Sequence, residues 1–312
     1  MWDRDVHDQT AVRIAAREDD EDGPLDAEQR QLCLEVARLG RQRQWQEALA
    51  LFDSVQTEAG QKLRTAALSA CARSLQLEHG RRIFNAMPQK TVPACNAYIM
   101  LLGRLKRMRD VEDLLGLMRA QQLRPSGVTY GCLMTAYGMV RDMSGVMRAL
   151  SDMRAASIMP TTVTFGSALG AAGRAGDTET AIALLREMEH LRLDIGPGHL
   201  TSSIVSCAQR KNEAKARELF QDMRNRGLKP NVVAYTGLLA CIPPTGDALS
   251  KADALLAEMK SETVQPDVYI YNELLNLAVA VRSPQRFRDV LAEMEAHRIA
   301  PTRETALRNR ST

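Results

Sequence analysis

The chain has 312 residues, of which 4% are aromatic and 45% hydrophobic, with Ala, Leu and Met abundant, a composition suited to helices that approach closely on small and flexible side chains. It holds no run of about 18 consecutive apolar residues, which excludes a membrane-spanning helix on thickness grounds. The formal charge of +3 conceals an asymmetry. Residues 1–28 carry ten acidic and three basic side chains, leaving 38 Lys and Arg against 28 Asp and Glu, a net +10, over residues 29–312. A basic body of this kind concentrates polyanions around itself.

In chain order, residues 1–28 read as an acidic, disordered leader that includes Glu18-Asp19-Asp20-Glu21-Asp22. The leader has neither the apolar stretch of a secretory signal nor the Arg-rich, acid-poor composition of a transit peptide. A first helix is expected from near Gln29, followed by a second over Glu47-Ala-Leu-Ala-Leu-Phe52. From there a period takes over. Met118, Met153, Met188, Met223, Met259 and Met294 are spaced 35, 35, 35, 36 and 35 residues apart. Pro125, Pro160, Pro230, Pro266 and Pro301 keep the same interval, with Ile195 in the one slot that lacks proline.

Each period resolves into two helical patterns and two turns. In one example, the stretch from Val163 is followed by Gly173-Arg-Ala-Gly-Asp177 and a second helix from Thr178 to His190. Gly176 suits a left-handed helix stop and Asp177 the cap of the next helix; Ser283-Pro284 is expected to act likewise, as cap and first-turn proline. The proline closing each period ends the second helix. On the second helices apolar residues recur at helical spacing, as in Ala216, Leu219, Phe220 and Met223, giving a stripe for packing between hairpins. One hairpin cannot bury that stripe alone, so stability must come from stacking on neighbours. Six separated cysteines (Cys33, Cys71, Cys95, Cys132, Cys207, Cys241), each within a predicted helix, read as buried free thiols of a reducing compartment.

The 35-residue beat, the terminal proline and junctions such as Leu228-Lys-Pro-Asn-Val-Val-Ala-Tyr235 and Val264-Gln-Pro-Asp-Val-Tyr-Ile-Tyr-Asn272 resemble the pentatricopeptide repeat. They do not match the 34-residue tetratricopeptide repeat with its Trp and Leu-Gly signature. Asn85-Ala-Met-Pro-Gln-Lys-Thr-Val92 is similar to the junction of the shorter pentatricopeptide variant. The resemblance implies an all-α fold, a right-handed superhelical α-solenoid of about eight helix-turn-helix repeats. Framed on these landmarks, the units are 29–60, 61–91, 92–126, 127–161, 162–196, 197–231, 232–267 and 268–302, followed by a short basic tail, 303–312.

The resemblance further implies a non-catalytic factor that binds single-stranded RNA along the concave groove, one base per repeat. The base is read by the fifth and last residues of each unit and stacked on the second. Carried over, Asn96 with Ser126 resembles a reader of C, Thr201 with Asn231 of A, and Thr236 with Asp267 of G. Asn272 with Thr302 leans towards a pyrimidine. Val128, Val163, Val233 and Tyr269 are the stacking walls. Cys33 with Gly60, Gly131 with Thr161 and Gly166 with Gly196 offer few polar groups, and Thr65 with Thr91 is ambiguous. The footprint is then two unread bases, C, two unread, A, G and a pyrimidine, which recurs at roughly one position in a hundred of random RNA.

The residue pattern carries no catalytic signature: His-x-Glu, Cys-x-x-Cys, the phosphate loop and the nucleophile elbow are all missing from the sequence. Its five histidines lack ligand spacing, so no metal and no cofactor is expected. The partners expected are RNA and, through it, a recruited RNA-processing protein, with the chain itself a monomer and the setting a mitochondrion or chloroplast. A protein-interaction scaffold, or a fragment of a longer repeat protein, is the alternative.

Overall fold

A computed structural model describes residues 27–55 and 60–300. The acidic leader up to residue 26, the tail 303–312 and Thr302 lie outside the described residues. The described residues form sixteen α-helices and no strand. Two compact units divide the chain after Ala171, within the ninth helix.

The first unit contains α1 (Ala27–Arg41), α2 (Trp45–Ser54), α3 (Gln61–Ser74), α4 (Leu77–Asn85), α5 (Val92–Arg104), α6 (Met108–Ala120), α7 (Gly127–Met139), α8 (Met143–Ala155) and most of α9 (Thr162–Ala175). Odd-numbered helices pack side by side, α1 on α3, α3 on α5 and α5 on α7, while each even-numbered helix lies against its own partner, and α2 and α4 also lie against the next odd-numbered helix. The two kinds of helix are therefore buried differently. Nine of the thirteen residues of α7 are buried, as expected of a helix covered on several sides, whereas α6 buries only the stripe Val111, Leu114 and Met118.

Small residues set the spacing of the odd-numbered helices. A Cβ on Gly103 of α5 would stand 2.5 Å from the Ala136 Cβ of α7, and one on Gly40 of α1 would stand 2.8 Å from the Ala70 Cβ of α3. The backbones meet at a distance that a larger side chain would forbid.

The second unit holds α10 (Thr178–His190), α11 (Pro197–Ser206), α12 (Glu213–Asn225), α13 (Val232–Ala240), α14 (Ala248–Ser261), α15 (Val268–Ala280) and α16 (Pro284–Ala296). Here α11 packs on α13 and α13 on α15. The even-numbered helices bury the expected stripe, for example Ala216, Leu219, Phe220 and Met223 of α12. All six methionines of the 35-residue comb are at most 1% exposed, so the comb is the core between hairpins. Ion pairs cross between these helices: Arg224 engages Glu258 and Glu262, Arg226 engages Glu189, Lys251 reaches Glu213 at 3.1 Å and Arg286 reaches Asp253 at 2.6 Å. Each is partly exposed and contributes on the order of 0.2–1 kcal/mol, so the apolar stripe dominates the stacking.

The turns follow one rule. After an odd-numbered helix the chain passes through a left-handed residue, and the next amide reaches back five residues, as Asp177 N–H does to Ala172 O at 3.0 Å. Gly176 takes this position at φ 70°, and Asp177 caps α10 through the Thr180 amide at 3.1 Å, as the sequence predicts. Ser283 likewise caps α16, with Pro284 in its first turn. Elsewhere the left-handed residue is Arg43, Leu75, Lys106, Arg141, Lys211 or Arg282, which costs roughly 1–2 kcal/mol each against glycine and is partly offset where a cation meets the helix C-terminus.

One turn departs from the rule. Pro243 and Pro244 stop α13 after nine residues, and the Ala240 carbonyl they leave open accepts from the Lys211 Nζ at 2.6 Å.

All six cysteines are free, five buried and Cys33 half-buried. Cys207 and Cys241 sit one residue past the ends of α11 and α13 rather than inside them. Burial pushes the thiols of Cys71 and Cys241 up to about 12 and that of Cys95 to about 11, so they are inert as nucleophiles.

Candidate nucleic-acid interface

Among the described residues, those that close a unit occupy one kind of place: they are N-caps of the next odd-numbered helix. Thr91 Oγ1 accepts from the Ala94 amide at 3.4 Å before α5. Ser126 Oγ accepts from Thr129 N at 3.4 Å before α7, and the Thr129 hydroxyl returns the favour to Ser126 N at 3.0 Å, a reciprocal capping box. Asn231 Oδ1 accepts from Ala234 N at 2.9 Å before α13. Asp267 Oδ1 accepts from both Tyr269 N at 2.9 Å and Ile270 N at 3.0 Å before α15. The sequence explains the geometry: Ser, Asn, Asp and Thr satisfy the open amides of a first helical turn.

Capping decides what remains for a ligand. A carboxamide whose oxygen faces the helix turns its NH₂ outward, so Asn231 presents donors. Asp267 has committed Oδ1 to two amides and keeps Oδ2, an acceptor with no partner among the described residues. Ser126 is bonded reciprocally with Thr129 and presents least. The alternating-polarity pair, donor at 231 and acceptor at 267, lies within the second unit.

The fifth-position residues stand on the odd-numbered helices, covered by their neighbours. Asn96 of α5 and Thr201 of α11 are each 6% exposed, and Thr236 of α13 is 1% exposed. Thr236 is satisfied locally, donating its hydroxyl to the Val232 carbonyl at 2.7 Å. Both amide atoms of Asn96 and the Thr201 hydroxyl, by contrast, are buried with no hydrogen-bond partner, an arrangement that costs about 1–3 kcal/mol per group. Asn272 of α15 is half-buried, as are Val128, Val163, Val233 and Tyr269. Thr302, the last of the sequence-derived set, lies outside the described residues. The capping role of the closing residues was absent from the sequence reading, although the Ser, Asn or Asp preceding an apolar helical run announces it.

These features define a helical-repeat protein whose units are hairpins joined at capped junctions. The Pentatricopeptide repeat domain model matches residues 113–175, 183–243 and 254–305, more than half of the chain, and the PPR repeat model matches residues 163–193. The chain belongs to the pentatricopeptide repeat family. It is 34% identical over 119 residues to the pentatricopeptide repeat-containing protein At5g48730, chloroplastic, of Arabidopsis thaliana, covering 38% of this chain and 23% of that protein. It is 30% identical over 99 residues to At2g20710, mitochondrial, of the same organism, covering 31% of this chain and 20% of that protein. The crystal structure of the maize pentatricopeptide repeat protein PPR10 in complex with an 18-nt psaJ RNA element aligns with 96% of this chain and 44% of that one at 16% identity, with a TM-score of 0.72. That likeness shows the fold, an all-α repeat solenoid. The chain spans about a quarter or less of these curated relatives and less than half of PPR10.

Proposed function

We propose that the array binds single-stranded RNA, one base per repeat in the frame 29–60 to 268–302, with the fifth and closing residues of each unit reading the base. The observation that carries this reading is the unfilled hydrogen-bonding capacity at Asn96 and Thr201, joined in the second unit by the outward Nδ2 of Asn231 and the Oδ2 of Asp267. A base edge fills these vacancies once the seam between odd-numbered helices opens to admit it. The RNA in the PPR10 structure and the organellar names of the relatives support the same direction.

On this reading the chain is a monomeric, non-catalytic factor of a mitochondrion or chloroplast. It occupies a transcript segment and thereby shields it, opens it or recruits an RNA-processing protein to it. Stacking contributes about 1–3 kcal/mol per base, and phosphate contacts make the affinity fall with salt.

Reprogramming tests the assignment. Thr201→Asn combined with Asn231→Asp keeps a cap oxygen before α13 while turning the outward group from donor to acceptor, so base preference at that step should move from A to U. An unchanged preference in oligonucleotide titrations contradicts the proposal. The glycines at the fifth positions of two units, Gly131 and Gly166, favour a protein-interaction scaffold as a second reading. Partners that co-purify from native extract and survive ribonuclease treatment would support it.

A further inference from the structure

Resting on the reading just given, we infer that Ser167 takes the place of the missing base-contacting side chain in the unit whose fifth residue is Gly131. Gly131 lies on α7, half-buried, and offers no polar atom to a base. The space its side chain would enter is not empty of chemistry, because a Cβ built on Gly131 would stand 3.7 Å from the Ser167 Oγ, the one heavy atom within 4 Å of it apart from its chain neighbours and the nearby backbone of α7. Ser167 hangs from α9, the next odd-numbered helix, and both residues belong to the first unit. The hydroxyl is therefore delivered to the vacant position from the neighbouring repeat.

Its own bonding leaves it available. Ser167 Oγ donates to the Val163 carbonyl at 3.3 Å, a long bond for a hydroxyl, and both lone pairs remain to accept. The proton can also swing away from Val163, so the same group can donate. A hydroxyl that accepts or donates meets an amino group or a carbonyl equally well. The Gly131 step consequently holds a base without choosing it, in contrast to the polarity fixed at Asn231 and Asp267. Reading at this step is shared between two repeats, and the fifth residue of the unit alone does not describe it.

The test compares wild type with Ser167→Ala on the labelled octamer 5′-UUCUUAGU-3′, whose A and G steps fix the register, and on versions with each base at the fourth position or an abasic nucleotide there. Ser167→Ala should weaken binding about three- to tenfold whichever base stands fourth, and the difference between the proteins should vanish on the abasic octamer. Native circular dichroism and the melting temperature should be unchanged. Equal affinity of the two proteins on every octamer, while Asp267→Ser still lowers affinity at the seventh position, overturns the role of Ser167 and leaves the reading intact. Loss of affinity that persists on the abasic octamer also overturns it, since the effect is then not exerted on a base. Absence of binding by wild type to any octamer removes the reading itself, and the inference with it.

Discussion

Asp267→Ser should abolish the preference for G at its step while leaving the protein as stable as wild type. On the proposed reading, Asp267 performs two tasks with different atoms. Its Oδ1 caps α15 through the amides of Tyr269 and Ile270, and its Oδ2 remains to accept from the N–H groups of a guanine edge. Serine keeps a capping oxygen and discards the second one. Losing a charged hydrogen bond of this kind costs about 1.5–3 kcal/mol, or roughly ten- to a hundredfold in affinity for the G-bearing oligonucleotide.

Two companions separate the tasks. Asp267→Asn retains the cap and replaces the outward acceptor by a donor, so it should bind A in place of G at unchanged stability. Asp267→Ala removes both and should lose about 1 kcal/mol of stability as well as the preference. Titration by fluorescence anisotropy and urea unfolding read the two effects independently. If Asp267→Ser unfolds early and still prefers G, the division of labour between the two oxygens is wrong.

Gly103→Ala and Gly116→Ala should have opposite signs, although each replaces a helical glycine by the best helix former. Gly116 of α6 has nothing within 4 Å of an added Cβ, so alanine there should stabilise by about 1 kcal/mol through propensity alone. At Gly103 the same methyl would stand 2.5 Å from the Ala136 Cβ and 2.9 Å from its Cα. Backbone and a methyl cannot swing aside, so α5 and α7 must separate, at a cost of about 1–3 kcal/mol that exceeds the propensity gain. Gly103→Val should cost still more. Midpoints of urea unfolding measure both; a stabilised Gly103→Ala protein contradicts close backbone approach as the determinant of spacing in the first unit.

Much of the fold could be read from the chain because the same physical constraint recurs every 35 residues. The methionine comb is the core stripe, Gly176 is left-handed, and Asp177 and Ser283 are caps, each at the position its chemistry predicts. Less was legible where tertiary context overrides local preference. Lys106, Arg141 and Arg282 adopt the left-handed turn that glycine favours, because the stacked helices on either side impose it. The nine-residue α13 and its Pro243-Pro244 turn depend on a distant lysine for their carbonyl cap. Periodicity placed Asn96, Thr201 and Thr236 together in register, but it could not show that side-by-side packing covers them. Nor could it show that Ser126, Asn231 and Asp267 are caps before they are anything else, since capping is a statement about backbone amides three residues on.

The central claim, that this array reads single-stranded RNA through the second unit, is tested most directly by titrating the wild-type chain with 5′-UUCUUAGU-3′ and with the same octamer carrying G then A in place of A then G. The account predicts at least tenfold tighter binding of the first, with affinity falling as salt is raised. Equal affinity for the two octamers, or no binding to either at low salt, would contradict it.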